Sequence, residues 1–270
     1  MSEPITAAGG ELWVESRGEG PDVLLIAGLG DPLETWEAQF QGLADRYRLV
    51  AFDNRGSGRS PLTEKPLSVA SMTDDAAQVL DARGVGSAHV VGHSGGSLVA
   101  QELALHRPDL VRSLTLVGTW ARADEYFRAL VASWHWMAAA APSPQALLEA
   151  FFLWLYTPAA HADGTVEQAV VDALAFPHPQ TPEGFLGQLD AFTNYDALDR
   201  LAGIAAPTLV LAGELDIAAP PRLGRSVAEQ VANADFETLP GQAHRPFEET
   251  PDDFNARVDA FWRDVASRQP

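Results

Sequence analysis

The chain has 270 residues, 46% of them hydrophobic, no cysteine and a formal net charge of −19. That length and apolar content support a sizeable core, either one large domain or a core domain with an insertion, and argue against disorder. The negative charge excludes nucleic acid and anionic membrane as expected partners, because both require a basic patch; the lack of cysteine excludes disulfides, thiolate metal sites and a cysteine nucleophile.

The stretch Met1–Gly10 has neither the basic nor the apolar segment of a secretory signal. The densest apolar stretch, Ala129–Ala141, is interrupted by Ser133 and His135 and stops at Pro142, short of a membrane span. The expected location is the cytoplasm. Glu11–Ser16 is a short strand candidate followed by a turn at Arg17–Pro21. Val23–Ala27 (VLLIA) is a continuous apolar run ending in glycines, the pattern of a strand buried on both faces. Trp36, Phe40, Leu43 and Tyr47 recur at helical spacing, and Leu49–Phe52 is a second buried strand running into the glycine-rich turn Asp53–Gly58. Met72–Ala82 predicts a helix, His89–Val91 a strand, Ser97–His106 a helix stopped before Pro108, and Val111–Val117 a strand. After Trp120 the chain reads as helices broken by prolines, with no convincing strand, until about Ala205. Thr208–Ala212 restores the strand pattern, followed by a helix around Gly224–Val231, a strand at Asp235–Leu239 and a last helix at Asp252–Val265. Alternating strands and helices imply right-handed crossovers and a mostly parallel sheet flanked by helices, with the middle block inserted into it.

Three strand ends carry candidate chemistry. Gly92–His93–Ser94–Gly95–Gly96 lies between a predicted strand and helix and matches G-x-S-x-G in the context that pattern requires. The glycines are needed because a nucleophile on a strained turn brings its flanking backbone against other elements. A serine needs a base to take its proton, and the base needs a carboxylate to fix its tautomer. Asp216, in the loop after Thr208–Ala212, and His244, in the loop after Asp235–Leu239, supply both in the chain order Ser, Asp, His. All three sit at C-terminal strand ends, where open parallel sheets bind ligands. Glu214 and Asp199 are weaker candidates for the acid. His93 is a weaker base than His244 because its side chain should point away from that of Ser94. His135, His161 and His178 show no metal-ligand spacing, and no metal or organic cofactor is expected. An oxyanion needs preorganised donors; the backbone N–H groups of Gly95 and of Leu29, in the loop Gly28–Leu29–Gly30, are the candidates. The Asp53–Ser60 turn reads as structural, with Asp53 and Arg55 tying its backbone together.

With these residues in view, the chain resembles the α/β-hydrolase superfamily over almost its whole length. The match rests on Gly28–Leu29–Gly30, Asp53-x-Arg55–Gly56-x-Gly58-x-Ser60, Gly92–His93–Ser94–Gly95–Gly96, Gly213-x-x-Asp216-x-x-x-Pro220, and Gly241-x-x-His244 with Glu249-x-Pro251 behind it. The N-terminal third is similar to the enol-lactonase, carboxylesterase and cofactor-free perhydrolase group and to polyketide methylesterases. It departs from many relatives at Ala27, where they have histidine. Ser94 itself argues against the dehalogenase and epoxide hydrolase branches, which use aspartate. The resemblance implies a core of residues 1–121 and 202–270, and a helical cap at 122–201. It also implies a small-molecule ester or lactone as substrate. His93, Trp120, Trp134, Trp136, Phe152 and Trp154 are candidate pocket residues, and the aromatic content of the cap suggests a bulky or aromatic group. C–C hydrolysis of a diketone-type ring-cleavage product, perhydrolysis, and ligand reception on a hydrolase scaffold remain alternatives.

Overall fold

The computed structural model describes residues 2–63 and 66–268. Its sheet follows from the apolar runs. β1 (Ser2–Ala7), β2 (Gly10–Arg17), β3 (Asp22–Ile26), β4 (Arg48–Phe52), β5 (Ala88–His93), β6 (Val111–Val117), β7 (Thr208–Gly213) and β8 (Ala234–Leu239) pair in the spatial order β1-β2-β4-β3-β5-β6-β7-β8. The β1–β2 and β2–β4 pairs are antiparallel and the other five are parallel. Alternation along each strand splits the core between the two faces. Leu24, Ile26, Val50, Phe52 and Val90 point to one; Val23, Leu25, Leu49, Ala51 and Val91 point to the other. α2 (Val69–Ala82) and α3 (Gly95–His106) cover the first face. α1 (Glu37–Leu43) and α11 (Pro251–Ser267) cover the second through Phe40, Leu43, Phe254, Val258 and Trp262.

The strand-free stretch lies between β6 and β7. It holds α4 (Glu125–Ala140), α5 (Pro144–Phe152), α6 (Pro158–Ala162), α7 (Thr165–Ala175) and α8 (Pro182–Thr193). Four of these start at a Ser, Thr or Asp whose side chain accepts a first-turn N–H: Asp124, Ser143, Thr157 and Thr181. Pro follows the last three at the first helical position, where its missing N–H has no cost. The neck of this block closes where Arg122 bridges Asp196 and ion-pairs with both Asp196 and Asp199 at 2.7 Å. α9 (Pro221–Ala228) packs on β7 and β8, and the single turn α10 (Pro246–Glu249) follows His244. No helix among the described residues is long and apolar enough to cross a membrane.

Candidate active site

Five loops at the C-terminal ends of parallel strands meet on one rim. After β5 the chain reverses at Ser94, with φ 51° and ψ −123°, the one non-glycine residue among those described with positive φ. Such a conformation costs about 1–3 kcal/mol and persists where surrounding structure over-determines it. Here the Ser94 N–H donates to the Val117 carbonyl (2.9 Å), and its own carbonyl accepts from the Ser97 N–H (2.9 Å) and Oγ (2.5 Å). A side chain on Gly92 would lie 2.6 Å from the Gly96 carbonyl oxygen, and one on Gly96 would strike the Ile26 carbonyl. These glycines let α3 start directly beneath β3. One strand over, Gly28 brings the loop after β3 to the nucleophile turn; a Cβ there would sit 3.0 Å from the Ser94 Cβ. Ser94 and Leu29 are partly exposed, and Gly95 opens α3.

The loops after β7 and β8 bring Asp216 and His244 together. His244 Nδ1 is 2.7 Å from Asp216 Oδ2, and both side chains are buried. Asp216 Oδ1 accepts the N–H groups of Ala218 (2.9 Å) and Ala219 (2.8 Å), so the carboxylate is held at both oxygens. Gly118, just past β6 with φ 57°, faces this pair, and a Cβ on it would lie 2.8 Å from the imidazole. The competing acids are otherwise engaged. Glu214 accepts from the Gly241 N–H at 2.9 Å, and Asp199 pairs with Arg122. His135 lies 3.1 Å from Asp190 at the surface, and His161 and His178 are exposed. Among the described residues no His/Asp/Glu group is arranged to hold a metal.

His93 and Trp136 depart from the expected pocket. His93 is buried, and its Nε2 donates to the His244 carbonyl at 3.0 Å while its ring meets Phe247 edge-on. It holds the His244 loop instead of lining a pocket. Burial, reinforced by His244 and Arg245, pushes its pKa well below the usual range, so it stays neutral. Trp136 is 70% exposed. Buried Trp134 is two residues away, about 200° round the helix, which turns Trp136 outward. Trp120 and Trp134 are buried in a ring chain, Trp120–Phe127 at 4.4 Å and Trp134–Phe151 at 5.1 Å, while Phe152 and Trp154 are half-buried. Arg55 also reaches outside its own turn, to Asp75 and the Gly9 carbonyl. Asp53 does span the turn, accepting from the Arg59 and Leu33 N–H groups at 2.8 and 2.7 Å.

A buried ionic cluster with no clear pattern in the sequence lies beside this site. Arg245 Nη1 lies 3.0 Å from both oxygens of Asp31; its Nε and Nη2 reach Glu248 at 2.5 and 2.6 Å, and Nη2 also donates to Thr35 Oγ1. Tyr156 donates to Glu248 at 2.7 Å, and the His244 N–H donates to the Leu155 carbonyl at 3.0 Å. The β3 loop, the His244 loop and the inserted helices are thus tied through one cation. Burial pushes the Asp31 carboxyl up despite Arg245. Burial also opposes ionisation of Glu248, but Arg245 outweighs it and holds that carboxyl low.

Replacing Arg245 by methionine is expected to destabilise the fold by about 3–5 kcal/mol at pH 7, because it strands two buried carboxylates. In the native protein the low Glu248 contributes stability above its ordinary range and loses it as pH falls through its lowered value. In the variant both carboxyls rise, so their penalty is relieved on acidification. Urea unfolding should therefore show the gap between the two proteins narrowing from pH 7 to pH 5. A gap under about 1 kcal/mol at pH 7 would contradict the role given to Arg245.

The pattern of the alpha/beta hydrolase fold family matches residues 21–251. A candidate carbamate hydrolase, RutD of Azorhizobium caulinodans, is 35% identical over 255 residues, 94% of this chain and 96% of the relative. Among solved structures, the enol-lactonase of Burkholderia xenovorans superposes with a TM-score of 0.88 at 25% identity, covering 97% of this chain and 100% of that one. A thermophilic esterase of Thermogutta terrifontis superposes with a TM-score of 0.85 at 26% identity, covering 98% and 99%. The chain belongs to the α/β-hydrolase fold family and is a hydrolase.

Proposed function

We propose that the protein cleaves a carboxylic ester or lactone of an apolar small molecule through an acyl-enzyme on Ser94. The observation that carries this reading is the pairing of a strained, partly exposed serine with a buried His244–Asp216 hydrogen bond on the same rim of the sheet. Ser94 Oγ attacks the acyl carbon while its proton passes to His244 Nε2. The imidazolium is stabilised by Asp216, and the oxyanion is held by the N–H groups of Leu29 and Gly95, the latter at the N-terminus of α3. His244 then gives the proton to the leaving oxygen, and water repeats the sequence to free the acid and Ser94. Residues 122–201 act as the cap over this site. The cation next to the histidine in the chain, Arg245, is already shared by Asp31 and Glu248, which favours an acyl substrate without a free carboxylate over a dienoate ring-cleavage product.

The similarity to RutD favours a second reading in which the acyl carbon is that of a carbamate, attacked by the same residues. Turnover of p-nitrophenyl acetate, butyrate, octanoate and benzoate beside a p-nitrophenyl N-alkylcarbamate separates the two. The expected result is ester turnover with a kcat/KM that rises from acetate to the bulkier esters, because the inserted helices present aromatic rings. Carbamate turnover faster than every ester would select the second reading, and a maximum at acetate would rule out the bulky pocket.

A further inference from the structure

Helix α8 touches the core along one stripe. Gly184, Gln188 and Phe192 are four residues apart and share a face, and each meets a glycine of the core. Gly184 lies against Gly56, where an added Cβ on Gly56 would be 3.0 Å from the Gly184 Cα. Phe192 lays its ring against the Cα of Gly95, the residue after the nucleophile, and leaves no room for a Cβ there. Between them Gln188, fully buried, accepts the Gly30 N–H at 3.0 Å.

The Gln188 amide is saturated and can be oriented in one way. Its Oε1 also accepts from Gln180 Nε2 at 3.1 Å, and its Nε2 donates to the Arg55 carbonyl at 2.7 Å and to Ser57 Oγ at 2.9 Å. Turning the amide over would set N–H against N–H at Gly30 and oxygen against oxygen at Arg55. Gly30 has φ 78°, so its backbone is free to adopt several conformations unless something holds it. A donor contributes to oxyanion stabilisation only if it is aimed before the charge develops.

We propose that Gln188 is a positioning residue for the oxyanion hole: by engaging the Gly30 N–H from helix α8, it holds the β3 loop with the neighbouring Leu29 N–H directed at the nucleophile. This deepens the serine hydrolase reading and rests on it. Through Gln188 and Phe192 one helix of the inserted block bears on both sides of the hole.

The test compares wild type with Gln188→Leu, with active sites counted by the p-nitrophenol burst from p-nitrophenyl butyrate. An aryl trifluoromethyl ketone supplies a second readout. Ser94 Oγ adds to its carbonyl carbon, the hydroxyl proton passes to His244, and the former carbonyl oxygen becomes the bound oxyanion. Losing a whole oxyanion donor costs about 10²–10³ in kcat; a loosened one is expected to cost about tenfold to a hundredfold. KM should stay within about threefold, while the ketone's inhibition constant rises in parallel with the fall in kcat. Gln188→Met, of matching length and more adaptable packing, carries the same expectations if the leucine variant does not fold. An unchanged kcat, or a raised KM with kcat retained, would overturn the inference while the wild-type burst still supports the hydrolase. A wild type with neither burst nor ketone adduct would overturn the hydrolase reading and this inference with it.

Discussion

Ser94→Gly is expected to lose turnover on the order of 10⁴- to 10⁶-fold and at the same time to make the protein more stable. The first effect follows from removing the nucleophile, which leaves only binding and the oxyanion donors to act on the acyl carbon. The second follows from the backbone. At φ 51° and ψ −123° the serine side chain is held in a region that glycine enters freely. Relief of about 1–3 kcal/mol is partly offset by the roughly 0.5–1 kcal/mol of extra chain entropy that glycine loses on folding. Ser94→Ala separates the two effects, since it removes the oxygen and keeps the Cβ. Both variants should be inactive towards p-nitrophenyl butyrate, and only the glycine variant should show a higher urea midpoint. More than about 1% of wild-type activity in Ser94→Ala would place the nucleophile elsewhere. Equal stabilities for the two variants would mean that the turn is not under strain.

What the sequence made legible and what it hid divide along the range of the interactions. Val23–Ala27, His89–Val91 and Thr208–Ala212 read as strands because central parallel strands are buried on both faces and their composition shows it directly. The elbow was legible because strand, turn and helix follow one another within a few residues and Gly92 is demanded by its close neighbours Gly96 and Ser97, although Gly95 and Gly96 are demanded by Phe192 and Ile26, far off in the chain. β1 escaped because an edge strand has one partner. Its residues Ser2–Pro4 are exposed and leave no apolar alternation to find. The helix expected from Trp36 to Tyr47 is shorter, Glu37–Leu43 after a 3₁₀ turn at Leu33–Trp36, and Tyr47 is instead packed on Trp262 with its hydroxyl on Asp259. Trp136 is turned outward by the helical angle, which aromatic content alone does not reveal. Asp31, Gly118 and Gln188 left no local signal, and Arg245 left only a faint one. Their partners lie far off in the chain, 158 residues in the case of Gln188 and Gly30, and a lone glycine after a strand looks like any turn. The one available hint was the pairing of Arg245 with a carboxylate three residues on, beside the candidate base.

Asp216→Asn is expected to lower kcat about 10⁴-fold with little change in fold, and the surrounding hydrogen bonds say why. Asp216 Oδ1 accepts two backbone N–H groups, from Ala218 and Ala219. An asparagine must put its carbonyl oxygen there, because its amide group would face two donors. Its NH₂ then points at His244 Nδ1, where Asp216 Oδ2 now sits at 2.7 Å. A ring nitrogen facing a donor must accept, so the neutral imidazole is forced to carry its proton on Nε2. In that tautomer the nitrogen meant to take the Ser94 proton has no lone pair to offer. The loss is therefore one of tautomer and not of position. KM and the urea midpoint should stay near wild type while the rate of the p-nitrophenol burst falls with kcat. Gly118→Ala makes the complementary comparison, because its Cβ would press on the ring at Cε1 and Nδ1 and shift its position while the carboxylate stays in place. If Asp216→Asn lost less than about tenfold in kcat, His244 would not depend on this carboxylate for its proton placement, and the acid of the site would have to be sought among other residues.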